Sequence, residues 1–151
     1  MKKNKFKKMK TTRHCLTDYD IKLLLGFNES LKGNRQFDKI FIDSGFPELA
    51  ALSAAIHSDT DALYWLLNNG FPEFGILSNA IDGEDNAIAW LERYRLDFLS
   101  KFAAACRQDV DALKWFADND LKVFLMIITT IQDILKFQSW DASDWHKLRR
   151  S

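Results

Sequence analysis

Hydrophobic positions recur along this chain with a period of 25 residues. Three segments align without a gap, and each ends in a tryptophan: Leu52–Trp65, Leu77–Trp90 and Phe102–Trp115. The register extends towards the N-terminus, where Gly45-Phe46-Pro47-Glu48 matches Gly70-Phe71-Pro72-Glu73. Towards the C-terminus it is fainter, with Ile127, Ile131 and Trp140 in phase. A fixed period between about 20 and 50 residues is the signature of a repeat architecture.

Each unit contains two stretches of helical periodicity. In the second unit, Leu49, Leu52 and Ile56 fall on one stripe of a helix, and Leu63 and Leu66 fall on a second stripe. The second stripe ends at Asn69-Gly70, a typical helix stop. Two helices of about ten residues and two short turns fill the period and leave no room for a strand. The chain has only 6 Gly and 2 Pro, which also favours helices.

We therefore predict an all-α fold, an α-solenoid of about five stacked helix–turn–helix repeats. A basic flexible arm, residues 1–16, would precede a single domain, residues 17–151. Degenerate first and last units are expected, because the two ends of a stack face water. The predicted units are residues 22–46, 47–71, 72–96, 97–121 and 122–146.

Aromatic residues and cysteines are predicted to serve packing. Helically spaced aromatics usually belong to a core, so we expect Trp65, Trp90 and Trp115 to fill the seams between units. Cys106 falls on the buried stripe at the position of Ile56, which predicts a core thiol. Three aromatics near the C-terminus cap the stack or form a dimer contact, and capping is the favoured interpretation: Phe137, Trp140 and Trp145.

Residues 52–70 resemble the helix–turn–helix portion of ankyrin repeats. The resemblance lies in the Leu-Ser-Ala-Ala start, the acidic turn and the Trp-Leu-Leu-Asn-Asn-Gly end, and it covers roughly residues 22–126. Ankyrin units run to about 33 residues and carry a β-turn with a Thr-Pro-Leu-His motif, which this chain lacks. The resemblance therefore implies ankyrin-like units without β-hairpin fingers, which bind partners through their helices.

Charge is distributed unevenly, although the formal net charge is zero. Residues 1–13 carry seven Lys/Arg and no acid, whereas residues 14–145 carry 11 Lys/Arg against 21 Asp/Glu, a net charge of −10. We expect the first segment to be a solvated arm, and contact with nucleic acid or anionic lipid is the alternative. No apolar run marks a signal peptide or a membrane span, so we expect a cytoplasmic protein.

No set of residues has the spacing of a catalytic, metal or cofactor site, so we expect no enzyme and no cofactor. Two surfaces are candidates for partner binding. One is an acidic edge formed by the turns between the helices of each unit: Asp59, Asp61, Glu84, Asp85, Asp109 and Asp111. The other is the side of the first helices that lines the concave groove of a solenoid: Ser53, His57, Ser78, Asn79, Asp82, Ala103 and Arg107.

The sequence thus predicts a non-catalytic protein–protein interaction module. Its concave helix face and acidic edge would hold another protein, and the chain would be a monomer or a weak dimer. The alternative is a nucleic-acid-associated protein that uses the basic arm together with Lys147, Arg149 and Arg150.

Overall fold

The computed structural model describes residues 14–150, with side chains described from His14 to Trp140. Within that range a short 3-10 turn, Leu16–Asp18, precedes nine α-helices, and there is no strand. The all-α prediction is confirmed. The helices are α1 (Ile21–Leu31), α2 (Gln36–Asp43), α3 (Pro47–Ile56), α4 (Thr60–Asn68), α5 (Pro72–Ile81), α6 (Asp85–Arg93), α7 (Asp97–Cys106), α8 (Val110–Asp118) and α9 (Lys122–Arg150).

The turns follow the 25-residue period. Within the described chain, every residue with positive φ belongs to one of two series spaced by 25. One series ends the first helix of each unit: Gly33, Ser58, Gly83 and Gln108. The other ends the second helix: Gly45, Gly70, Arg95 and Asp120. A left-handed residue closes a helix by satisfying its last carbonyls, so the same backbone turn recurs whether or not the residue is glycine.

The core repeats with the same period. Residues at equivalent positions of the five units are fully buried: Phe27, Leu52, Leu77, Phe102 and Ile127. On the second helices the fully buried residues are Phe41, Leu66, Leu91 and Phe116. A tryptophan directly precedes each of the last three, and each tryptophan is half-buried against the core: Trp65, Trp90 and Trp115. Cys106 is buried, as predicted.

The helices form two layers. The odd-numbered helices are an inner layer in which each packs against the next, and each even-numbered helix lies against two consecutive inner helices. The predicted helical solenoid is confirmed. The stack also closes, because α9 packs against α1.

Two hydrogen bonds show that the closing contact repeats an ordinary one. Between α1 and α3, Ser30 Oγ donates to Ser53 Oγ at 2.8 Å. Between α9 and α1, Thr130 Oγ1 donates to Asn28 Oδ1 at 2.6 Å. Thr130 lies at the repeat position of Ser30, and Asn28 at the repeat position of Ser53. The inner helices therefore form a ring of five with nearly equivalent neighbours.

The fifth unit departs from the predicted helix–turn–helix. It is one helix of 29 residues, and Asp133 lies within it at the position where the other units turn. The residue after the turn is Asn34, Asp59, Glu84 or Asp109 in the first four units and Ile134 in the fifth. A polar residue there starts the next helix, whereas isoleucine is a poor N-cap. Ile134 packs against the core instead, and the helix continues.

One end of the ring is covered by the segment that precedes α1. Leu16 is fully buried, and the Tyr19 hydroxyl donates to Glu48 Oε2 at 2.8 Å. The Tyr19 ring also contacts Phe46 and Phe74. Leu16 therefore belongs to the core and not to the predicted arm, whose residues 1–13 lie outside the described range. No described helix combines the length and apolar character that crossing a membrane requires.

Candidate functional site

Ring closure removes most of the predicted concave face. Ser53 and Ser78 are each 3% exposed, and Ala103 is buried at the same repeat position. These small residues lie where neighbouring inner helices pack closely, so they form the helix–helix contact rather than a surface. The prediction that Ser53 and Ser78 are exposed to a partner is wrong.

The other residues of that face lie at or near the C-terminal ends of inner helices. His57 Nε2 donates to the Leu31 carbonyl at 2.8 Å, and Arg107 donates through a guanidinium nitrogen to the Ala80 carbonyl. Gln132 Nε2 makes the equivalent bond to the Ala105 carbonyl at 2.8 Å. Each of these side chains reaches a carbonyl at or near the end of the preceding inner helix, so the three bonds stabilise the ring. Asn79 is half-buried.

Asp82 is the carboxylate of this series. It follows the last residue of α5 and is exposed at the edge of the ring. Partial burial raises the pKa of Asp82, and the nearby charge of Glu84 raises it further. Both effects disfavour the ionised form.

The structure places the acidic edge on the N-terminal ends of α4, α6 and α8. All six predicted carboxylates are exposed there. Asp59 caps α4 by accepting from the Ala62 N–H at 3.2 Å. Glu84 and Asp109 occupy the same N-cap position without a side-chain hydrogen bond. Capping therefore accounts for Asp59, and the other N-cap carboxylates keep their hydrogen-bonding capacity for solvent or a partner.

A groove between α9 and α1 is the site that the sequence did not predict. Each of the other four pairs of neighbouring inner helices has an outer helix lying against it, and within the described chain this pair has none. Three apolar side chains are exposed there: Ile21 (61%), Leu25 (44%) and Met126 (37%). Leu25 and Met126 line a cleft of about 420 Å³, and Phe37 of α2 forms its far wall. The groove has the position that a fifth outer helix would occupy.

The second half of α9 crosses the other end of the ring. Gln138 Nε2 donates to the Ile56 carbonyl at 3.4 Å, although α3 is not a neighbour of α9 in the ring. One cleft beside α9, of about 320 Å³, lies against Leu31 and His57. Another, of about 570 Å³, lies against Cys106 and Arg107.

Cys106 lines the larger of these two clefts. Among the described residues, no group of three His, Cys, Asp or Glu side chains could hold a metal ion. Burial raises the pKa of Cys106 far above its ordinary value, which removes the thiolate that a nucleophile needs.

Comparison with known proteins gave no match. No family model matches the sequence, and neither a curated protein nor a solved structure matches this chain. The candidate sites therefore rest on the geometry of this chain alone.

Proposed function

We propose that this chain is a non-catalytic protein-interaction module that binds an amphipathic helix in the α9–α1 groove. The observation that carries the proposal is that, within residues 14–150, no outer helix covers one of five otherwise similar inner pairs. Ile21, Leu25 and Met126 remain exposed as a result. A helix laid into an apolar groove buries such side chains, and this is a common mode of peptide recognition.

The outer helices indicate what the groove accepts. α4, α6 and α8 are nine residues long, and each buries one large apolar residue next to a half-buried tryptophan. A ligand helix with the same apolar face and a charged opposite face would complete the ring. In this proposal the units are ankyrin-like, they bind through helices, and the protein acts in the cytoplasm.

The acidic edge has a secondary role in the proposal. Its six exposed carboxylates lie on α4, α6 and α8, outside the groove. A row of like charges raises the encounter rate with a basic partner more than it raises affinity. The nucleic-acid alternative depends on residues 1–13 and on side chains after Trp140, which lie outside the described part, so it stays a prediction from the sequence.

The groove can be tested with a stapled helical peptide that copies Val110–Leu121 and carries a fluorophore. Anisotropy should show binding to the wild-type chain and binding at least about tenfold weaker to Leu25→Glu, because a buried leucine contributes roughly 1.5–3 kcal/mol. Tyr64→Glu changes another exposed large residue, on α4 and outside the groove, and is the matched control; Tyr64 is 57% exposed and Leu25 44%. Equal affinity for all three proteins would contradict the proposal.

A further inference from the structure

We infer that the helix that occupies the groove is the second half of α9 from a second copy of this chain. This inference rests on the proposed function, because it names the partner of the same groove. It starts from the length of α9: the helix has 29 residues, whereas the other inner helices have 10 or 11. Its second half extends beyond the five packed inner segments, at the end of the ring that it crosses.

Two large apolar side chains are exposed on the described part of that second half. Phe137 and Trp140 are 63% and 62% exposed, and each lines one of the two clefts beside α9. The side chain of Trp145 lies outside the described residues, so capping by these three aromatics stays a prediction. Residues 126, 130, 133, 137 and 140 alternate in steps of four and three, the spacing of one helix face. The face of α9 that borders the groove through Met126 therefore continues past the ring through Phe137 and Trp140. One chain thus exposes apolar side chains at two places, in the groove and on the second half of α9.

The lengths agree with a reciprocal exchange. Residues 137–150 span about 21 Å and α1 spans about 16 Å at 1.5 Å per residue. If a two-fold axis passes beside residue 137, the two α9 helices run antiparallel and each second half lies along the groove of the other copy. Such an interface is isologous and closes at two subunits.

Charge favours the antiparallel arrangement. The sequence of the α9 end carries Lys147, Arg149 and Arg150. Antiparallel packing brings that end to the start of α1 and α9 in the second copy. Among the described residues there, acids outnumber bases, since four carboxylates are exposed beside Lys22 and Lys122: Asp18, Asp20, Asp118 and Asp120. Opposite charges at the two ends would set the direction of packing.

Sedimentation velocity across micromolar concentrations tests the exchange with the full-length chain. We expect a reversible dimer for the wild type and for Tyr64→Glu, and a monomer for Leu25→Glu and for Phe137→Glu/Trp140→Glu. A mixture of these two monomeric variants should form a heterodimer. The intact α9 of Leu25→Glu can then occupy the intact groove of Phe137→Glu/Trp140→Glu. A wild-type monomer throughout this range, or a dimer that survives Phe137→Glu/Trp140→Glu, would overturn the inference.

The peptide assay separates this outcome from failure of the proposed function. Phe137→Glu/Trp140→Glu should bind the stapled peptide at least as tightly as the wild type, because its groove has no competing helix. A monomeric wild type that binds the peptide would overturn the exchange and leave the groove function standing, whereas no dimer and no peptide binding would overturn both. If deletion of residues 2–13 were needed for peptide binding, the chain's own N-terminal segment would be the occupant, and the exchange would be wrong.

Discussion

At the scale of single residues, every repeat has the same backbone turn, although the side chain at the turn differs. The turn after each outer helix has positive φ in all four units, but the residue is glycine at Gly45 and Gly70 and is Arg95 or Asp120 elsewhere. An L-residue in the left-handed region costs about 1–2 kcal/mol relative to right-handed backbone, and glycine avoids this cost. At this turn the third and fourth units therefore carry strain that the first two units avoid.

Removing glycine from this turn and introducing glycine there should change the free energy of unfolding in opposite directions. Gly70→Ala should destabilise the fold by about 1 kcal/mol from backbone strain alone, because a Cβ at Gly70 would meet no atom within 4 Å. Arg95→Gly should stabilise it by a similar amount, about 0.5–1 kcal/mol. Urea unfolding measures both changes.

Arg93→Gly is the matched control for Arg95→Gly, since it makes the same substitution two residues earlier, at the last residue of α6. Glycine within a helix costs about 1 kcal/mol, so the control should destabilise the protein. Loss of stability in Arg95→Gly as large as in the control would contradict the assigned turn.

At the scale of elements, the hydrogen bond between Thr130 and Asn28 joins the last helix to the first. Thr130→Ala removes the hydroxyl donor and leaves the oxygen of the buried Asn28 without this hydrogen bond. The free energy of unfolding should fall by about 1–3 kcal/mol. Thr129→Ala changes the exposed neighbour, whose hydroxyl donates only to Leu125 within the same helix, and should cost less than about 0.5 kcal/mol. Equal effects in thermal unfolding would show that this contact does not hold the ring closed.

The sequence predicted those elements that local patterns determine. Apolar spacing and the Asn69-Gly70 stop located the helices of the second unit to within a few residues, because both signals act over a single turn. The continuous α9 was missed, although Ile134 in place of an acidic N-cap was a readable signal. Aromatic spacing at Trp140 suggested a further seam where the structure has an exposed helix face.

At the scale of the whole molecule, ring closure decides which surfaces exist. Each unit turns the chain by part of a circle, and only the sum over five units brings residue 130 to residue 28. No local pattern encodes that sum, so the concave face was predicted where Ser53 and Ser78 are buried. The same closure creates the α9–α1 groove, since the four outer helices in the described part of the chain cannot cover five inner pairs.

Double electron–electron resonance, which measures the distance between two spin labels, tests most directly whether the ring is closed. Spin labels at Lys22→Cys and Lys122→Cys, in a Cys15→Ser background, report on exposed positions at the start of α1 and α9. Dilution with unlabelled protein removes distances between copies. Neighbouring helices lie 8–10 Å apart, so the ring predicts a distribution centred below about 25 Å once the label tethers are included. An open stack would separate the first and last inner helices by roughly four such spacings, and a distribution centred beyond about 35 Å would contradict the ring and the groove that depends on it.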